Sequence, residues 1–416
     1  MSSSAGMTRS RPPRSTPPGT TSTTCTSSSF AGRATVRFLL RADQDRLLRW
    51  VLTHFTGDAS SAPLPDLPGE RFREAGLWSG LTALIATMAQ ERAVDLPSDW
   101  RSFAEDQRGE VARRQERFAA LLPRVLVALH DAEVRAIPVK GAVFMAGGWF
   151  HASARPMADL DILVDPAQRL VASVALRRIG LEQVGGNAWE DTFLGWGDGS
   201  TGRVDGESAD HNGKVELHPG WVERLHHYLV DDGGTVTSTA VPGTLAGAAC
   251  WLLPPVAFAA HVVGHLSACV IRSDARALNV LDSVLALRAL DTDGRPAYAA
   301  LIEQFDPRLS APGLWLVHAH QPDAVAETVV TAALRRLPEA AQRRLAATST
   351  SAVLRGIEGG TDLGWRLAFT HTNAERLRVV QQAIVPPVED QRPGQTGGLR
   401  FHASRVRRRV LRARVG

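Results

Sequence analysis

The stretch Asp159-Leu160-Asp161-Ile162-Leu163-Val164, closed by Asp165-Pro166, most narrows what this 416-residue chain can fold into. Leu160 to Val164 is apolar and rich in strand-favouring residues, so the run reads as a short buried strand that the Asp-Pro pair ends. Side chains at i and i+2 of a strand share a face, which sets Asp159 beside Asp161. Two carboxylates that close repel each other, and a hard divalent cation such as Mg²⁺ relieves the repulsion. An Asp-x-Asp in isolation is more often a pair of solvated acids at a strand end, so its neighbours decide its weight.

Those neighbours form an ordered series. Arg135 to Val139 reads as a strand entering Lys140-Gly141-Ala142, followed by a helix over Val143 to Phe150 and a loop over His151 to Met157. Ala167 to Ile179 reads as a helix ended by Gly180, and Leu181 to Val184 as a further strand. Asn187 to Asn212 has little apolar periodicity and reads as a flexible insertion or a long hairpin. Lys214-Val215-Glu216-Leu217-His218 alternates, giving a strand with Glu216 and His218 on one face. A glycine after a strand lets the backbone approach a phosphate, and a helix start favours anions. Paired carboxylates on the next strand can hold one or two metal ions, and two ions about 3.5–4 Å apart serve phosphoryl or nucleotidyl transfer. A third carboxylate, Glu216, can complete the shell or take a proton from an attacking hydroxyl.

The flanks are helical. Leu47, Leu48, Val51, Leu52 and Phe55 recur at helical spacing, as do Leu81, Leu84, Ile85 and Met88. Ser98 is placed to cap a long helix over Asp99 to Leu129, with a possible kink at Pro123. Leu245 onward reads as helical again, with segments at 256–270, 277–290, 324–334, 338–354 and 373–384. The expected organisation is a tail over 1–38, a helical region over 39–129, a core over 130–243, a helical region over 244–385, and a linker with a basic tail over 386–416. The fold class is α+β, a small mixed sheet between two helical regions.

Composition adds limits. With 44% hydrophobic and 22% charged residues the chain matches an ordinary soluble globular protein, and no stretch approaches the roughly 20 apolar residues of a membrane span. Three scattered cysteines exclude a disulfide framework and suit a reducing cytoplasm. Five arginines lie in residues 1–37 and seven in 400–416, with no acid in either. Removing those twelve from the formal +4 leaves the body at −8, which disfavours a long nucleic acid as partner. Lys140 and Lys214 are the chain's only lysines among 47 basic residues, and both border the acid-bearing strands.

The run Val139-Lys140-Gly141-Ala142, Arg155-Pro156-Met157 and Asp159-Leu160-Asp161-Ile162-Leu163-Val164 resembles the bacterial nucleotidyltransferase-like family of the DNA polymerase beta superfamily, over about Leu77 to Leu287. The resemblance implies a nucleotidyltransferase core that moves a nucleoside monophosphate from an NTP to an acceptor with Mg²⁺ or Mn²⁺. It implies Asp159 and Asp161 as the metal pair, Glu216 as the third carboxylate, and Lys140, Gly141 and Ala142 as the turn on the phosphates. The superfamily usually carries Gly-Gly or Gly-Ser at that turn, and Ala142 offers no hydroxyl. Gly147-Gly148 is the alternative turn, set aside because it falls within the expected helix.

Other residues keep two readings. Arg155 either binds the triphosphate or anchors its loop to an acid. His218 either lines the site or is structural. His261 and His265, at i and i+4, either pack or touch the nucleotide pocket. Asp282 lies in an apolar helix and needs a partner, Arg276 or a histidine. Asp205, Glu207 and Asp210 are substitutes for Glu216. A small-molecule or peptide acceptor is the expectation. A toxin-like enzyme acting on tRNA and a non-catalytic adaptor are the rivals.

Overall fold

The computed structural model describes residues 29–55, 63–92, 94–195, 213–225, 228–355 and 363–384. Asp205, Glu207, Asp210 and the basic C-terminal tail lie outside the described residues, as does most of the N-terminal tail. Four helices come first: α1 (Ser29–Phe55), α2 (Gly69–Ser79), α3 (Thr82–Glu91) and α4 (Ser98–Asp131). α1 begins inside the segment expected to be tail. α4 runs through Pro123 without a break, and Pro97 rather than Ser98 is its N-cap, with no side-chain capping bond.

The sheet region follows: β1 (Ile137–Pro138), α5 (Gly141–Ala146), β2 (Asp159–Val164), α6 (Arg169–Arg178), β3 (Glu182–Gly186), β4 (Asp191–Leu194) and β5 (Lys214–Pro219). The five strands lie in the order β1-β2-β5-β4-β3. β2 and β5 pair in parallel, and every other neighbouring pair is antiparallel. The sheet is therefore mixed, as expected. β4 lies inside the segment read as a flexible insertion or a long hairpin, and its antiparallel pairing with β5 fits the hairpin alternative.

Two cores sandwich this sheet. Leu160, Ile162, Val164, Val215 and Leu217 pack with Phe118, Leu122, Val125, Leu126 and Leu129 of α4 and with Leu176 of α6. These α4 side chains are 0–1% exposed, and each contributes about 1.5–3 kcal/mol on burial, enough to seat the long helix on the sheet. Strand alternation sends the intervening residues, including Asp159, Asp161, Lys214, Glu216 and His218, to the opposite face.

That face looks toward a helical body entered through two hairpins, β6 (Val222–Leu225) with β7 (Tyr228–Asp231) and β8 (Val241–Leu245) with β9 (Ala248–Leu252). The expectation that Leu245 onward is helical is corrected there: a turn at Ala246-Gly247, both at positive φ, folds it into a hairpin. The body comprises α7 (Pro255–Arg272), α8 (Ala277–Arg288), α9 (Gly294–Ile302), α10 (Ala311–His320), α11 (Glu327–Arg335), α12 (Glu339–Ala346), α13 (Leu363–Ala368) and α14 (Asn373–Ile384). α7 is long and apolar enough to cross a membrane by length and composition, and 78% of it is buried within the fold. Its burial makes it the central helix of this body.

Candidate active site

The parallel register builds the site. Asp159 lies opposite Lys214, Asp161 opposite Glu216, and Leu163 opposite His218. Five ionisable side chains thus share one face of two adjacent strands. Lys140, just after β1, reaches over them with its Nζ 2.9 Å from Asp161 Oδ1. His218 Nε2 lies 3.0 Å from the same oxygen and 3.6 Å from Glu216 Oε2. Lys214 is ion-paired with Glu216 and stands 3.6 Å from Asp159 Oδ2.

Ligand atoms of Asp161, Glu216 and His218 all lie within 4.8 Å of one another. The expected trio was Asp159, Asp161 and Glu216. In the structure His218 completes the tightest group, and Asp159 sits one step back along β2, sharing the Lys214 ammonium with Glu216. The sequence pattern had placed His218 on the correct face without a ligand role.

Crowding sets the protonation states. Burial raises the Asp159 pKa, and the charges of Asp161 and Glu216 raise it further, to about 6 despite both lysines. Burial also works against ionised Asp161, but Lys140 and His218 outweigh it and hold that carboxyl well below the usual range. Burial opposes charge on Lys140, Lys214 and His218, and the surrounding acids, Asp161 above all for Lys140 and His218, more than restore it. The result is a cluster of opposite charges held in place by mutual pairing.

A cavity of about 300 Å³ opens beside the cluster, walled by Lys140, Gly141, Lys214, Arg155, Arg272 and Arg276 together with the three acids. A second cavity of about 160 Å³ shares Lys140, Glu216, His265 and Arg272 with it and adds His218, Trp221, Glu223 and His261. Glu216 therefore faces both.

The lysine-glycine turn borders the larger cavity in an unusual way. Lys140 itself takes the positive φ, at 50° with ψ −124°, a region that side-chain-bearing residues rarely enter. A Cβ on Gly141 would meet Arg155 Nη1 at 2.9 Å and Met157 Cγ at 3.1 Å, so close packing fixes glycine there. Ala142 is buried in the core beneath the sheet and does not line the larger cavity. α5 ends at Ala146 rather than Phe150, because Gly147 caps it and Gly148 turns at φ +65°. Of the two glycine turns, only Gly141 lines a described cavity.

The open readings separate as follows. Arg155 makes a two-pronged pair with Asp282, at 3.1 and 2.7 Å, and both are buried. Its guanidinium lies 5.3 Å from the Phe144 ring. Anchorage to an acid is thus its observed role, and Asp282 finds its partner in Arg155 rather than in Arg276 or a histidine. His261 is 1% exposed, lies edge-on to Trp221, and has no hydrogen-bond partner on either ring nitrogen. Burial, with Lys140 nearby, lowers its pKa to about 3 and keeps it neutral. His265 faces Glu223, with Nδ1 3.3 Å from Oε1. Sequence reasoning missed Glu223. Its Trp221-Val222-Glu223 setting alternates toward the site, a signal that a strand reading there would have supplied.

Comparison with known proteins completes the picture. The profile of a family described as uncharacterised nucleotidyltransferase matches residues 70–311, which spans α2 through the start of α10. A search of curated proteins returns no match. Among solved structures, the solution structure of the antibiotic-resistance factor ANT(2'')-Ia matches with 12% identity, over 44% of this chain and 90% of that one, with a TM-score of 0.32. A superposition of that quality does not establish a shared fold. The family match covers more than half of the chain and contains every residue of the charged cluster, so this protein belongs to the uncharacterised nucleotidyltransferase family.

Proposed function

We propose that the chain is a divalent-metal-dependent enzyme of the DNA polymerase beta type. It transfers a nucleoside monophosphate from an NTP to a hydroxyl, phosphate or amine of a small molecule or peptide. The observation that carries this reading is the convergence of Asp161, Glu216 and His218 within 4.8 Å, with Asp161 and Glu216 on the wall of a cation-lined cavity. The donor set fits Mg²⁺ or Mn²⁺: two carboxylates and an imidazole, with Asp159 adjacent as a further oxygen donor. Their crowding, relieved in this structure by Lys140, Lys214 and His218, is the electrostatic signature of a place for a cation. A divalent ion held there supplies charge stabilisation to the attacking and leaving oxygens.

The chain's own residues divide the remaining work. Lys140, Lys214, Arg272 and Arg276 give the larger cavity a cationic wall suited to a polyphosphate. Gly141 lets the turn lie close against Arg155 and Met157, and Asp282 holds Arg155 in place beneath it. The acceptor enters by the smaller cavity. Glu216, facing both cavities, takes the proton from the incoming nucleophile at its carboxylate.

The test is label transfer. Protein is incubated with Mg²⁺ or Mn²⁺, each NTP labelled at the α-phosphate, and a panel of hydroxyl- and amine-bearing small molecules, peptides and tRNA. Transfer with pyrophosphate release, lost in Asp161→Asn, is the expected result. Transfer that survives the substitution overturns the assignment, and exclusive labelling of tRNA favours the toxin-like rival.

A further inference from the structure

Cys269 lines the larger cavity, and the proposed nucleotidyl transfer makes no use of its thiol. It lies on α7 one turn after His265 and three residues before Arg272, a spacing that puts all three on one helix face. Its Sγ is 3.7 Å from His265 Nε2 and 3.2 Å from Arg272 Nη2. The other ring nitrogen of His265 faces Glu223 Oε1 at 3.3 Å, and Trp221 Nε1 donates to that same oxygen at 3.2 Å. Arg272 is fixed in turn, with Nη1 donating to the Arg224 carbonyl at 2.6 Å. A carboxylate that orients an imidazole, which faces a thiol beside a guanidinium, is an arrangement that favours thiolate over thiol.

We propose that Cys269 is an oxidant-sensitive thiol, modified by small hydroperoxides in the wall of the larger cavity. Its thiolate attacks one peroxide oxygen, and an S–O bond forms as the O–O bond breaks. The sulfur is oxidised to sulfenic acid, and the leaving group, hydroxide from hydrogen peroxide or alkoxide from an organic hydroperoxide, takes a proton to become water or the alcohol. Because Cys269 and the carboxylate cluster line one cavity, the modification obstructs whatever that cavity binds.

The surroundings give the selectivity. Burial raises the Cys269 pKa, but His265 and Arg272 outweigh burial and the opposing charge of Asp274, leaving the thiol below its ordinary value. Burial also opposes charge on His265, yet Cys269 and Glu223 prevail over it and over Lys140, holding the ring at about 10. Cys250, also buried though less deeply, is pushed up to about 11 by burial. One polypeptide thus carries a poised thiol and an inert one.

The experiment treats the full chain with hydrogen peroxide and dimedone at pH 7 and quantifies each cysteine by peptide mass spectrometry. Cys25, outside the described residues, is followed by its own peptide. Cys269 is expected to label about tenfold or more faster than Cys250, and about tenfold slower in His265→Gln and Glu223→Gln. Melting curves by circular dichroism confirm that both variants are folded. Equal rates at Cys269 and Cys250, or a Cys269 rate indifferent to both substitutions, overturn the proposal. The obstruction rests on the nucleotide reading, and a separate arm tests it. Mg²⁺ with an NTP is expected to slow Cys269 labelling. Selective labelling without such protection overturns the nucleotide's place in this cavity while upholding the reactive thiol.

Discussion

Lys140 Nζ stands 2.9 Å from Asp161 Oδ1, projected from a backbone held at φ +50°. The chain's other lysine, Lys214, is paired to Glu216 in the same cluster. Both point charges therefore sit where a divalent cation would compete for the same carboxylates. Replacing Lys140 with methionine removes one competitor. Mn²⁺ affinity is expected to rise about tenfold or more, while nucleotidyl transfer falls. Isothermal titration of wild type and Lys140→Met checks the first, and unchanged or weaker Mn²⁺ binding would show that the lysine does not occupy the cation's place.

Arg155→Met leaves Asp282 buried without its partner. Unfolding free energy is expected to drop by about 3–5 kcal/mol, and the double variant Arg155→Met with Asp282→Leu to recover most of it. Urea titrations of the three proteins decide this. A single substitution that costs nothing would mean that the pair is not closed off from water.

Gly141 and Gly148 separate close packing from backbone freedom. A methyl at 141 meets Arg155 Nη1 at 2.9 Å and Met157 Cγ at 3.1 Å, whereas a methyl at 148 meets nothing within 4 Å. Gly141→Ala should cost about 1–3 kcal/mol and impair any nucleotide binding, through displacement of Arg155 and Met157. Gly148→Ala should cost about 1–2 kcal/mol from its positive φ alone and leave binding intact. Thermal melts with and without nucleotide distinguish the two.

Asp45 of α1 accepts from His320 of α10 at 2.8 Å, from Arg49 at 2.9 Å and from Thr350 at 3.0 Å, and so ties the first helix to the helical body. Burial raises its pKa, but His320 and Arg49 overcome that and lower it to about 2 from an ordinary 3.8. A folded-state pKa below the unfolded value gives stability that is present above about pH 4 and lost as the pH falls toward 2. Asp45→Asn is expected to flatten that part of the acid-unfolding curve. Identical acid profiles for the two proteins would remove Asp45 from the account.

What the sequence made legible followed from short periods. Alternation in Lys214 to His218 put Glu216 and His218 on one face, and Asp159 and Asp161 were paired by the same rule. Register was not legible. Only the parallel pairing of β2 with β5 sets Asp161 against Glu216 and moves His218 ahead of Asp159 in the tightest group. Long-range partners were also hidden: Arg155 and Asp282 are separated by 127 residues, and no local pattern joins them. The β8–β9 hairpin was missed because Leu245 to Leu252 is apolar without alternation, so its Ala246-Gly247 turn was the sole signal. Glu223 was lost with the β6–β7 hairpin that carries it.

The central claim is that Asp161, Glu216 and His218 form a divalent-cation site. Electron paramagnetic resonance of Mn²⁺ titrated into the protein, with and without each NTP, tests it most directly. Wild type is expected to remove the free Mn²⁺ signal stoichiometrically in the presence of the preferred NTP. Asp161→Asn and Glu216→Gln should each weaken that uptake about tenfold or more, and His218→Gln less. Mn²⁺ uptake that is the same in wild type, Asp161→Asn and Glu216→Gln would contradict the account.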